Sequence, residues 1–162
     1  MVAYSFQKRF VGRVQAGLEP GPWLPGMKRH TLRLPRQRGH ARLDDALQLY
    51  TAMRTKHCRL IGRAIATHVI SVTVLVGSEH PFSLRSEMGQ ASWEAPEMAA
   101  PIIHRLIRSG RPLAADEMEE FARTDGFAST AEMRAFFDAP SEAGLWRLPM
   151  TLIAWRPMES AA

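Results

Sequence analysis

The chain has 162 residues, 46% of them hydrophobic and 23% charged, with a formal net charge of +5. This is ordinary globular composition, enough for one domain with a real core. The single cysteine, Cys58, excludes an intramolecular disulfide framework and a zinc–thiolate cluster, and it fits a reducing compartment. The N-terminal residues carry no apolar stretch of signal-peptide length, and the most apolar run, 64–77, is too short for a transmembrane helix. The expected location is cytoplasmic, with no membrane partner.

Charge is unevenly placed. Residues 1–63 hold 13 Lys and Arg against three acids, whereas residues 64–162 hold 8 against 13. A fold that gathers the first part on one face presents a basic surface to a phosphate-bearing partner.

In chain order, "VAYSF" at 2–6 reads as a short strand. Residues 7–18 follow with Phe10, Val11, Val14 and Leu18 at helical spacing. The segment 19–26, "EPGPWLPG", is dense in Pro and Gly and must be loop. "RHTLRL" suits a strand that Pro35 ends, and a polar basic connection runs on to Asp45. Residues 46–53 suit a strand. Residues 57–76 form a long β segment, with Ile70, Val72, Val74 and Val76 on one face and Gly62 a place to bend. Cys58, inside it, is expected to be buried. The stretch 77–101 has no period and reads as loop, and 102–113 as a hairpin turning at Ser109 and Gly110. Two helices then start on capping signals, Asp116 with Glu119 and Ser129 with Glu132, and carry Met118, Phe121, Met133 and Phe136 toward a core. The first ends at Asp125-Gly126. "LWRLPMTLIAW" is a final strand. The order of elements says α+β, a mixed or closed sheet with helices at one side.

The stretches "YSFQKRFVGRVQAG", "KRHTLRLPRQRGHARLDDALQLYTAMRTKHCRLI" and "MEEFARTDGFASTAEMRAFF" with a closing "LIAW" resemble ASCH domains, the activating-signal-cointegrator homology domains of the PUA-like group. The most specific parts are a Lys-x-x-Thr-x-Arg element, Lys28, Thr31 and Arg33, and "FARTDGFAS". The resemblance implies a single domain over 1–162, a small curved β-barrel with helices packed at one side, and an RNA- or nucleotide-related role. Some members look like amidohydrolases that deacylate acetylcytidine with a Thr nucleophile, a Lys and an acid; others bind or cleave RNA. Carried over, the catalytic residues are Lys28, Thr31 and Asp125. Asp125 stands where the family usually has Glu, one methylene longer. Two stretches depart as loop insertions, 19–27 and 77–101, and Leu43-Asp44-Asp45 stands where the family tends to Pro-Gly-Asp.

The chemistry sets conditions. A Thr hydroxyl is a poor nucleophile without a base within hydrogen-bond reach, and Lys serves only when neutral, through burial or cationic neighbours such as Arg29 and Arg33. Residues i and i+3 of a strand face opposite ways, so Lys28 and Thr31 converge only if the chain at 26–30 is a turn. Tyr50, Arg54 and Lys56 offer an aromatic beside cations, suited to unpaired bases, with a core Tyr50 as the plain alternative. His30, His40, His57 and His104 lack metal-ligand spacing, and no metal or cofactor is implied. Three functions are therefore expected, in this order: an RNA- or nucleotide-binding module with a basic cleft, an amidohydrolase acting on an acylated cytidine, and a metal-assisted ribonuclease.

Overall fold

The computed structural model describes residues 1–77, 82–87, 100–139 and 146–158. Among them are six strands and four α-helices: β1 (Val2–Phe6), α1 (Val11–Gly17), β2 (His30–Arg33), β3 (Ala46–Thr51), β4 (Arg59–Val76), β5 (Ser83–Ser86), α2 (Pro101–Ser109), α3 (Ala115–Thr124), α4 (Thr130–Phe136) and β6 (Trp146–Pro157). A 3-10 turn, Lys8–Phe10, leads into α1. The fold is α+β, and the sheet is mixed. Its order is β1-β3-β4-β6-β2, with β5 also on β4; β1 and β3 run parallel and all other pairs antiparallel.

The 18-residue β4 organises the sheet. Its first part pairs with β3 and its longer second part with β6. The alternation expected from the sequence holds, since Ile70, Val72, Val74 and Val76 are all buried. Near Gly62 the register with β3 slips, Leu49 facing Gly62 and Tyr50 facing Leu60, which leaves Ile61 as the extra residue of a bulge. Gly62 also admits α1: a Cβ there would lie 2.4 Å from Leu18 Cδ1.

Backbone pairing does not close the sheet, which ends at β1 on one side and β2 on the other. The two edges nevertheless come within one side chain of each other, because Arg33 Nη2 on β2 donates to the Ser5 carbonyl on β1 at 2.8 Å. Phe6 of β1 meets Trp155 of β6 edge to face, ring centroids 5.8 Å apart. The sheet is thus strongly curled, with an unpaired seam between β1 and β2.

Three sequence expectations are corrected. Residues 101–109 are a helix and not half of a hairpin. Ile102, Ile103, Leu106 and Ile107 recur at helical spacing and are all buried, Pro101 opens the helix, and Gly110 ends it at φ 61°. The stretch 77–101 is not all loop, since Ser83–Ser86 pairs with β4; 78–81 and 88–99 lie outside the described residues. Cys58 is exposed, because β4 begins only at Arg59 and the preceding residues form a turn with Ala52 and Arg54 at φ 51° and 68°. Among the described residues no helix is long and apolar enough to cross a membrane.

Candidate functional site

The seam between β1 and β2 holds a cavity of about 210 Å³. Ser5, Phe6 and Gln7 line it from the β1 side, Thr31, Leu32 and Arg33 from β2, and Lys28 and Asp125 from the loops beside them. Phe10, Phe127, Phe136 and Phe137 complete the wall. The Lys, Thr, Arg and Asp singled out by the sequence therefore share one pocket.

Each arrives there by local rules. Asp125 is the C-cap of α3, and the helix ends in a Schellman turn: Phe127 N–H donates to the Ala122 carbonyl at 3.0 Å and Gly126 N–H to the Arg123 carbonyl at 3.1 Å. The turn needs a left-handed residue, and Gly126 supplies it at φ 99°. A Cβ on Gly126 would also stand 2.9 Å from Phe10 Cδ1. The Asp-Gly pair thus aims the Asp125 carboxylate and lets a phenylalanine ring lie against the turn.

Lys28 and Thr31 line the same pocket because Lys28 is not in the strand. The chain turns at Pro25 and Gly26, with Gly26 at φ 92° and Met27 N–H donating to the Leu24 carbonyl at 3.1 Å. β2 starts only at His30, so the strict alternation that would have separated the two residues does not reach back to Lys28. The backbone at Lys28 is clamped to α1. Its N–H donates to the Arg13 carbonyl at 2.9 Å, and its own carbonyl sits where a Cβ of Gly17 would be, 2.2 Å away.

Electrostatically the pocket is a buried network. Lys28 Nζ donates to Asp125 Oδ1 at 2.6 Å and to the Asp125 carbonyl. His30 Nδ1 lies 3.2 Å from the same carboxylate oxygen, and its Nε2 is 3.0 Å from Thr124 Oγ1. Burial lowers the pKa of Lys28, against the pull of Asp125, and nearby Arg33 and Arg13 add to the lowering. Burial also lowers His30, so its imidazole is neutral at neutral pH. Burial alone would raise Asp125, but Lys28 and His30 together hold it below its ordinary value, as a carboxylate. Among the described residues Thr31 Oγ1 has one long contact, 3.5 Å to the Leu32 carbonyl, which leaves its hydroxyl available for another partner.

The other residues singled out divide. Arg33 lines the pocket, stacks over Phe6 with its guanidinium carbon 4.8 Å from the ring centroid, and has a buried Nε with no hydrogen-bond partner. Arg29 is outside the pocket. Its guanidinium donates to the carbonyls of Gly17, Glu19 and Gly21 at 2.9, 2.6 and 2.9 Å, tying the Pro-rich loop to the end of α1. The cations that help to lower Lys28 are Arg33 and Arg13. Tyr50 is half-buried on β3, and Arg54 and Lys56 are exposed on the turn after it, all three away from the pocket lining. Sequence reasoning missed His30 and Thr124 as part of the network. No local signal marks His30, whose ring is anchored by Thr124, 94 residues away. Sequence reasoning also missed the phenylalanine wall, since Phe136 read as core and Phe127 carried no assignment.

Among the described residues no group of three or more His, Cys, Asp or Glu is placed to hold a metal ion. A scan against protein-family models, a search of curated proteins and a search of solved structures each return no match.

Proposed function

We propose that the chain is an ASCH-type, PUA-like domain, its curled sheet an open form of the small barrel, and that its pocket takes a planar base bearing an acylated exocyclic amine and hydrolyses the amide. The observation that carries this reading is that the bonded pair Lys28 and Asp125 lines one phenylalanine-walled cavity with Thr31. In the first step Thr31 Oγ attacks the acyl carbonyl while neutral Lys28 takes the hydroxyl proton. The carbon–nitrogen bond then breaks, and Lys28, oriented by Asp125, returns that proton to the departing amine. Water hydrolyses the Thr31 ester and releases the carboxylic acid. The unpartnered Arg33 Nε is a donor available to the carbonyl oxygen as it gains charge.

Burial of Lys28 favours its neutral form, as this scheme needs. The 2.6 Å ion pair with Asp125 favours the opposite. That pair supports a second reading, in which the pocket binds a nucleotide, free or within RNA, and does no chemistry. Acetate release from acetylcytidine separates the two. The enzymatic reading expects turnover in the wild type and losses of about 10²-fold or more in Thr31→Ala and Lys28→Ala. Wild-type protein that binds the nucleoside without releasing acetate leaves the binding reading.

A further inference from the structure

His30 reaches the site from behind the pocket. It opens β2, and alternation along the strand sets its ring on the face opposite Thr31. It does not line the cavity, and it is fully buried against Phe121, ring centroids 5.0 Å apart. Its two nitrogens face different groups. Nε2 is 3.0 Å from Thr124 Oγ1, and Nδ1 is 3.2 Å from Asp125 Oδ1, the oxygen that also takes the bond from Lys28. Among the described residues Nδ1 has no other polar partner.

Which nitrogen carries the proton follows from the Thr124 hydroxyl, which has one hydrogen to give. It lies 2.9 Å from the Phe121 carbonyl as well as 3.0 Å from Nε2. If the hydrogen goes to Phe121, Nε2 must be N–H, and in a neutral imidazole the bare Nδ1 then sets its lone pair against a buried carboxylate oxygen. If it goes to Nε2, Nδ1 is N–H and faces Asp125 as a donor. The second arrangement leaves neither ring nitrogen unpaired. It costs the Phe121 carbonyl nothing essential, because that oxygen already accepts from the Asp125 N–H at 2.9 Å.

We propose that His30 is a positioning residue for Lys28, acting through Asp125: its neutral ring, protonated on Nδ1, shares the carboxylate with the lysine and loosens the hold of that carboxylate on the lysine's proton. The proposal rests on the reading of Lys28 as a base that must shed this proton, and it answers the opposition between the ion pair and the neutral amine. With Lys28 charged, its pair with Asp125 is neutral overall. With Lys28 neutral, Asp125 is left as a buried negative charge. An N–H dipole aimed at the carboxylate stabilises the second state more than the first. The other groups around Lys28 divide. Arg33 on β2 and Arg13 on α1 also favour loss of the proton, whereas Asp125 itself and the rings of Phe10 and Phe6, 5.2 and 6.0 Å from Nζ, favour the cation.

The test needs no turnover. Lys8, Lys28 and Lys56 are the only lysines of the chain, so NMR of protein labelled at its lysine side chains follows the Lys28 amine over pH. Lys8→Arg and Lys56→Arg, both at exposed positions, identify the other two signals. In histidine-labelled wild type, His30 should show Nδ1 protonated and Nε2 bare. His30→Asn keeps an amide donor near the place of Nδ1, whereas His30→Gln moves it out to the place of Nε2, toward Thr124. The Lys28 midpoint should rise in His30→Gln by about one pH unit, roughly the worth of one hydrogen bond, and stay close to wild type in His30→Asn. A purely structural role would treat the two variants alike. A His30 protonated on Nε2 overturns the proposal, as do equal Lys28 midpoints in wild type and His30→Gln, or equal shifts in both variants. Should neither variant fold, the wild-type tautomer decides alone. Acetate release keeps this apart from the hydrolytic reading: with turnover, the acid limb of the pH profile should move up in His30→Gln by the same amount. Both NMR signatures without acetate release uphold the action of His30 on Lys28 and remove only the hydrolysis. Acetate release by a protein whose His30 is protonated on Nε2 removes the positioning role alone.

Discussion

The seam pocket and the surface cavity lined by Lys8 and Arg59 use charge in opposite ways. In the pocket, Lys28, His30 and Asp125 are buried, and each is held to a partner from a distant segment. At a second cavity, of about 720 Å³, Lys8 and Arg59 are exposed, and among the described residues neither makes an ion pair. A charge that is buried and paired has a fixed position and a shifted protonation equilibrium, which is what proton transfer needs. A charge that is exposed stays hydrated and keeps its mobility, which suits long-range attraction of anions. The difference also predicts how each region responds when it is altered.

The largest expected effect is Asp125→Ala. Removing one partner of a buried pair leaves Lys28 uncompensated and costs about 3–5 kcal/mol, read as a fall in urea midpoint. By contrast Arg59→Ala should stay within about 0.5 kcal/mol, as exposed positions do. A similar small loss for both would erase the distinction between the regions.

Acid provides the next test, through a second buried base. His68 on β4 is fully buried, and its pKa is lowered from 6.5 to about 4, by burial first and by His104 second. Between about pH 6.5 and pH 4 the unfolded chain takes up a proton that the folded chain refuses. Stability is therefore full above pH 6.5 and falls by up to about 3 kcal/mol as pH drops to 4. Denaturant unfolding at several pH values reads this, and His68→Gln should flatten the slope in that window. A wild-type stability that is level from pH 7 to pH 4 contradicts the burial of His68.

Smaller, and more local, is the glycine pair on α1. A Cβ at Gly17 would lie 2.2 Å from the Lys28 carbonyl, whereas one at Gly12 meets nothing within 4 Å. Alanine is the better helix former by about 1 kcal/mol, so Gly12→Ala should be neutral or stabilising. Gly17→Ala should destabilise by about 1–3 kcal/mol through overpacking and displace Lys28. Thermal melts of the two variants decide this, and equal shifts would mean that α1 does not clamp the site.

Much of this arrangement was legible in the sequence, because it follows from local signals. The Asp-Gly pair at 125–126 marked the helix end that carries the acid, Ser129 marked the start of α4, where Glu132 N–H donates to Ser129 Oγ at 3.2 Å, and the alternation of β4 marked its buried face. The turn at Gly26, required for Lys28 and Thr31 to meet, followed from strand geometry. What was not legible depends on contacts between distant segments. The 102–113 stretch reads as a hairpin until Ile102 and Leu106 are seen to be buried together. Arg29 looks like its basic neighbours until the carbonyls of the Pro-rich loop converge on it. His30 joins the network only because Thr124, 94 residues away, anchors its ring.

The most direct test of the central claim is mass spectrometry of acid-quenched protein mixed with acetylcytidine. A Thr31 nucleophile predicts a transient acetyl group on the peptide that contains Thr31, absent in Thr31→Ala and lost or greatly slowed in Lys28→Ala. Acetate release by Thr31→Ala at the wild-type rate, with no acetylated peptide at any time, would contradict it.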